Sequence, residues 1–322
     1  MTQENLTAML LGHAVGDAMG VPVESEPRRK LENNPVTEMR GFGAHNQPAG
    51  TWSADTSLTV ATMESMARLK KIDFEDIFRN FVDWYSGDKF TANDFTFDFD
   101  PVTAAAIKNF LKGYYPQDCG ISDEYSNENG ALIRMLPVAA YIYLTRGNNF
   151  DNDAMKIIHD LAALTHAHPR TLIACGIYCL IAAEIFDGQN LQIAISNGVN
   201  KAKNFYSVQE NFQGEWFHYE FLLDKNFAAT PEKNITISVY VVYTLKAALW
   251  CLLNTNNYKD LILKAVNLGG DTDTVAAIAG GLGGAFYGVE QIPQNWLDAL
   301  KKKDYLQKIS ADFYNAFGRE KI

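Results

Sequence analysis

The segment NLGGDTDTVAAIAGGLGGAFYG (267–288) constrains this chain more than any other. After its aspartates it keeps helical spacing of apolar residues but almost no side-chain bulk, so another helix can approach it closely. Apolar residues at helical spacing also mark 5–19, 56–70, 102–113, 130–145, 153–165, 170–187, 190–204, 236–253 and 258–266, besides 273–287 itself. Alternating strand patterns are scarce. The best, ITISVYVV (235–242), runs directly into the helical stretch TLKAALWCLL. The predicted class is therefore all-α, a multi-helix bundle. No fixed-period repeat suggests a solenoid. No Pro/Ser linker or charge block divides the chain, so one domain over 1–322 is expected, although the length would permit two.

With 322 residues, 47% of them hydrophobic, the chain can bury a sizeable core. The net charge of −10 argues against sequence-independent nucleic-acid binding, which needs a basic face. It argues equally against an anionic membrane surface. The start, MTQENLTAMLLGHAVGDAMG, lacks the basic and apolar regions of a signal peptide. No window holds about 18 uninterrupted apolar residues, so no transmembrane helix is expected. The nearest approach, VYVVYTLKAALWCLL, is short and carries Lys246. Cys119, Cys175, Cys179 and Cys251 form neither a CxxC pair nor a zinc pattern and read as buried free thiols. A cytoplasmic location and a monomer are expected. Loops are predicted over 25–52, 88–101 and 205–234. The last contains NFYSVQENFQGEWFHYEF, either a lid or an irregular connection packing its own rings, with the second preferred.

Asp271-Thr272-Asp273-Thr274 places two carboxylates and two hydroxyls in consecutive positions. Gly269-Gly270 lets the chain turn sharply into a helix there. Helix capping explains one aspartate in a first turn. Two aspartates this close repel unless protons or a cation intervene, and hard divalent cations take several such oxygens. From this cluster alone, capping and metal binding both remain open. GTWSADTSLTVATMESM (50–66) has the same shape, with Ser53, Asp55 and Thr56 opening a helical run. In LLGHAVGDAMGVPVESEP (10–27) a helix ends near Asp17, and Glu24 follows in a loop.

Together GHAVGDAMGVPVE, GTWSADTSLTVA and NLGGDTDTVAAIAGGLGGAFYG resemble the ADP-ribosylglycohydrolase family, that is, the dinitrogenase reductase-activating glycohydrolase-like ADP-ribosylhydrolases. NGALIRMLPVA (129–139) and LTHAHPRTLIACGIY (164–178) match more loosely, and the resemblance spans residues 10–288. It implies an all-α hydrolase with a dinuclear Mg²⁺ or Mn²⁺ centre, acting on ADP-ribose or ADP-ribosylated protein. By motif, the metal ligands would be Ser53, Asp55, Asp271, Asp273 and Thr274, with Asp17 supporting them. Asp55 and Asp273 would be catalytic, with Asp55 the candidate to position the water or act as base. Glu24 would contact or gate the substrate. Asn129, Gly130, His166, Gly269 and Gly270 would line the substrate cleft. Arginine-linked ADP-ribose is the first substrate expected, with serine-linked and O-acetyl-ADP-ribose open.

The chain departs from the family pattern at two points. Ala54 stands where the family typically has the first aspartate of a pair. It fits an engineered inactivation, a natural loss leaving a binding-only or slow protein, or compensation by neighbouring oxygens. Asp100, in FDFDPVT (97–103), stands where the family usually has glycine, which puts that turn in question. His166 and His168 could form a metal pair, but a helix boundary with one ring facing the cleft and one facing solvent is preferred. His13 reads as a core histidine or one supporting the site. No GxGxxG, Walker A or GxSxG motif is present.

Overall fold

In the computed structural model, which describes residues 1–318, helix follows helix, and no strand occurs among the described residues. The α-helices begin with α1 (Gln3–Gly20), α2 (Arg28–Asn33), α3 (Ala54–Leu69), α4 (Phe74–Ser86) and α5 (Pro101–Leu111). Next come α6 (Leu136–Arg146), α7 (Asn152–Ala163), α8 (Pro169–Phe186), α9 (Leu191–Tyr206) and α10 (Glu210–Gln213). The last are α11 (Val241–Leu253), α12 (Tyr258–Asn267), α13 (Thr272–Tyr287), α14 (Gln294–Ala299) and α15 (Lys303–Phe317).

The centre is the pair α1 and α13, both buried along nearly their whole length. The small residues of α13 are there for this contact. A Cβ built on Gly16 would stand 2.1 Å from Ala276 O, and one on Gly12 would stand 2.4 Å from Gly280 O. The two backbones touch, and the end of α1 is thereby held against the start of α13. Gly16→Ala should therefore destabilise the fold by about 1–3 kcal/mol, the usual scale for overpacking. Helix propensity offsets that by at most about 1 kcal/mol. A denaturant midpoint unchanged by the substitution would refute this account of the contact.

Around the pair, α8 and α11 are also largely buried. The outer helices are amphipathic. α4, which periodicity did not single out, buries Ile77, Phe78, Phe81 and Trp84 on one face and is capped by Asp73 through the Asp76 N–H. Two helices bear on the membrane expectation. The segments Gln3–Val23 and Pro169–Phe186 are long and apolar enough to cross a bilayer by composition, yet 94% and 83% of their most apolar 18-residue stretches are buried inside the fold. They serve as core helices.

Two sequence boundaries shift. Residues 235–242 form no strand; Tyr240 makes only an isolated bridge to Glu128 and then precedes α11. The helix expected over 130–145 starts at Leu136, after a 3₁₀ turn at Leu132–Arg134, because Pro137 has no N–H and sits naturally in a first turn. Residues 205–234 form an irregular connection with 3₁₀ turns at Trp216–Leu223, Phe227–Ala229 and Glu232–Asn234 that packs its own rings, with Tyr206 and Trp216 stacked at 6.3 Å between centroids. All four cysteines are free and buried.

Candidate metal centre

The end of α1 and the N-termini of α3 and α13 converge. At the start of α3, Ser53 Oγ accepts from Asp55 N at 3.2 Å. Asp17 reaches over from α1. Its carboxylate accepts from Ser53 N at 2.9 and 3.0 Å, from Thr56 N at 3.0 Å and from Thr56 Oγ1 at 2.6 Å. Asp17 and Ser53 thus satisfy the free N–H groups of this helix end. Asp55 is not needed as a cap, and its Oδ2 is buried without a partner.

The start of α13 gives the same result. Asp271 occupies the cap position but its side chain makes no cap bond. The carboxylate accepts instead from Asn129 Nδ2, at 2.5 Å. Asn129 is braced in turn by Thr244 Oγ1 at 2.9 Å. Asp273 Oδ1 accepts from Thr274 N at 2.9 Å. Capping therefore does not account for Asp55 or Asp271.

The glycine pair sets the third side. Gly269 and Gly270 have φ of +77° and +73°, a region that favours glycine. In that conformation Gly270 N donates to Glu26 O at 2.8 Å, and Ser25 N donates to Gly270 O at 2.7 Å. These bonds hold the Glu24 loop against the aspartates. Carboxylate oxygens of Glu24, Asp271 and Asp273 lie within 4.8 Å of one another. Glu24, read from sequence as a substrate contact, thus sits in the carboxylate group itself. Glu24, His45 and Asp98 form an adjoining group, with His45 Nε2 against Glu24 Oε2. Neither His45 nor Asp98 stood out in the sequence. Ala54, in the first turn of α3, is buried and offers no oxygen.

Electrostatics make the centre unstable as bare anions. Burial pushes Asp271 up to about 6, with the Asn129 hydrogen bond opposing. Burial likewise pushes Asp17 up to about 6 despite the hydrogen bonds from Thr56 and Ser53. Burial and the nearby Glu24 charge push Asp98 up to about 7. Asp55 stands well above the carboxylate range through burial and the charges of Asp17, Asp98 and Asp271. Asp273 does so through burial and the charges of Glu24, Asp271, Asp55 and Asp98. The group needs protons or a cation. All-oxygen donors with an orphaned carboxylate oxygen fit a hard divalent ion such as Mg²⁺ or Mn²⁺.

Gly130 lies on the far side of Asn129. A Cβ there would meet Asp100 Oδ2 at 2.3 Å and His166 Cε1 at 2.9 Å. Asp100 caps α5, accepting from Val102 N at 2.8 Å and Thr103 N at 3.2 Å. Its φ is −62°, an ordinary backbone angle that needs no glycine. His166 is fully buried, while His168 caps α8 by accepting from Arg170 N at 3.2 Å, so the two rings do not share a ligand position. Burial holds His166 down to about 4, and His13, buried beside Thr59, is likewise held at about 4.

The ADP-ribosylglycohydrolase model matches residues 1–321. The chain belongs to the ADP-ribosylglycohydrolase family. It is 29% identical over 306 residues to the ADP-ribosylarginine hydrolase Tri1 of Serratia proteamaculans, covering 95% of this chain and 77% of that protein. It is 28% identical over 301 residues to the ADP-ribosyl-[dinitrogen reductase] glycohydrolase of Rhodospirillum rubrum, covering 91% and 89% of the two. A solved structure described as an ADP-ribosylglycohydrolase-related protein complex superposes with a TM-score of 0.77 at 26% identity, covering 98% of both chains. The all-α fold is that of the family.

Proposed function

We propose that this protein is a divalent-metal-dependent hydrolase that cleaves the glycosidic bond at the anomeric carbon of ADP-ribose, removing it from modified protein. The observation that carries this reading is the convergence of Glu24, Asp271 and Asp273 oxygens within 4.8 Å, next to the unpartnered Asp55 Oδ2. Arginine-linked ADP-ribose is the first substrate to try, because the Serratia relative is an ADP-ribosylarginine hydrolase. The metal ligands would be Asp55, Asp271 and Asp273, with Glu24 and the hydroxyls of Ser53 and Thr274. Mg²⁺ or Mn²⁺ held there would supply positive charge at the ribose hydroxyls and at the attacking oxygen. Asp55 Oδ2 has no other partner and is the group to take the proton from attacking water as the anomeric carbon gains oxocarbenium character. Asp17 holds the first turn of α3, and so Asp55, in place. Asn129 orients Asp271.

Ala54 favours a second reading, a protein that binds ADP-ribose without turning it over. Asp98 bears on the choice, since its carboxylate charge acts on both Asp55 and Asp273 and can replace part of the missing one. The chain and its Ala54→Asp variant should be compared for release of ADP-ribose from arginine-modified protein with Mg²⁺ or Mn²⁺. With Asp98 compensating, the unsubstituted chain turns over and the variant gains less than about tenfold, the lower range for a supporting ligand. Turnover by the variant alone assigns this chain to binding. Release by neither, with or without metal, overturns the arginine assignment.

A further inference from the structure

Beside the carboxylate centre, Asp100, Glu128 and His166 form a separate group whose ligand atoms lie within 4.8 Å of one another. His166 is fully buried, and its Nε2 is aimed into this group without a hydrogen-bond partner. The contact from Nε2 to Asp100 Oδ2 is 3.5 Å, longer than an ordinary N–H···O bond. It matches instead the ~3.4 Å between adjacent ligand atoms of a tetrahedral ion with bonds of about 2.1 Å. We propose that Asp100, Glu128 and His166 form a binding site for a borderline divalent transition ion, Zn²⁺ above all, distinct from the carboxylate centre.

The surroundings support each ligand. His166 Nδ1 pairs with Thr165 Oγ1 at 2.9 Å, and Thr165 Oγ1 is itself held by Arg134 Nη2. In the tautomer in which Nδ1 donates to that hydroxyl, Nε2 presents its lone pair, the usual arrangement for a metal-binding imidazole. The backbone is pinned as well, since Ile121 N donates to Thr165 O at 2.9 Å and Ala167 N donates to Ile121 O at 2.8 Å. Asp100 is oriented by Val102 and Thr103. Glu128 is half-buried and leaves a path from solvent. An imidazole with two carboxylates suits Zn²⁺ better than Mg²⁺, which prefers oxygen ligands alone. The site borders Gly130, so an ion there would neutralise the net negative charge along that wall. The inference does not depend on the hydrolase reading.

The test is titration of the full chain with Zn²⁺ in excess Mg²⁺, with Co²⁺ absorption as a ligand-field probe. Wild type should take up one Zn²⁺ that Mg²⁺ does not displace, and Co²⁺ should show a tetrahedral spectrum. His166→Gln, Asp100→Asn and Glu128→Gln should each weaken Zn²⁺ at least tenfold. Asn remains a good helix cap at 100, and Glu128 caps nothing, so these two variants should stay folded if His166→Gln does not. Asp271→Asn should leave this Zn²⁺ in place. Absence of Zn²⁺ uptake by wild type overturns the site, as does binding that persists in Asp100→Asn and Glu128→Gln. Loss of that binding in Asp271→Asn instead would move the ion to the carboxylate centre and also overturn it.

Discussion

Asp273→Asn should lower ADP-ribose release about a hundredfold or more and abolish stabilisation by Mg²⁺ or Mn²⁺, while raising the melting temperature of the metal-free protein. The signs are opposite because one carboxylate serves two ends. In the metal-free fold Asp273 is buried, and the charges of Glu24, Asp271, Asp55 and Asp98 oppose its ionisation. Asparagine removes that repulsion, and its side-chain oxygen can still accept from Thr274 N as Asp273 does. With a cation the balance reverses, because the ion neutralises the group and needs the lost charge. A metal at a hundred times its Kd adds about 2.7 kcal/mol of stability, several degrees in Tm for a chain of this size. Thermal unfolding in chelator and in metal, alongside the release assay, reads all three effects. A variant that keeps both activity and the metal-induced shift would remove Asp273 from the centre. A variant less stable than wild type in chelator would refute the repulsion argument.

The parts of this fold that could be read in advance are those whose signal is local. Apolar spacing along α1, α8 and α13 is set by the 3.6-residue period and survives any tertiary context. The bareness of α13 announces a close neighbour, although nothing in the segment says that the neighbour is α1. α4 went unread although Ile77, Phe78, Phe81 and Trp84 share one face. Its polar residues lower the average hydrophobicity, so the stripe shows only when spacing is weighed above content. ITISVYVV carries β-branched residues but has no partner strand, so tertiary packing overrides its propensity. The site divides in the same way. Asp271 and Asp273 advertise themselves because like charges stand together in sequence. Asp98, His45 and Glu128 do not, because each is an ordinary loop residue until folding brings it to Glu24 or Asp100. Asp100 misleads in the other direction. Aspartate in place of the family's glycine puts the turn in question, and the chain answers with a capping aspartate in ordinary backbone geometry.

Raising the pH from about 5 to 8 should destabilise the metal-free protein relative to its Asp98→Asn variant, and saturating Mg²⁺ or Mn²⁺ should flatten or reverse that difference. The sign follows from the carboxylates of the centre. An acid whose pKa is higher folded than unfolded binds protons more tightly in the folded state, so folding is penalised as pH rises. The penalty is absent below the unfolded value, grows through the interval, and is complete above the folded one. For Asp271 the interval runs from 3.8 to about 6, and for Asp98 from 3.8 to about 7. For Asp271 that interval corresponds to about 3 kcal/mol. Its neighbours titrate with it, so the contributions do not simply add. Carboxylates held below their ordinary value on the surface, such as Glu38 and Asp73, act in the opposite sense. Their losses begin only as pH falls through 4.5 and 3.8, below this range. His13, His159 and His166, held down at about 4 by burial, gain stability as pH rises to 6.5; wild type and variant share them, so they cancel in the comparison. A metal ion shifts the buried group back toward ionisation, so its affinity should rise over the same pH interval in which the metal-free fold weakens. The measurement is Tm against pH for wild type and Asp98→Asn, in chelator and in metal. A difference between wild type and variant in chelator that is flat or moves in favour of wild type from pH 5 to 8 would mean that these carboxylates are solvated or paired in the folded protein, and the case for a cation among them would lose its electrostatic basis.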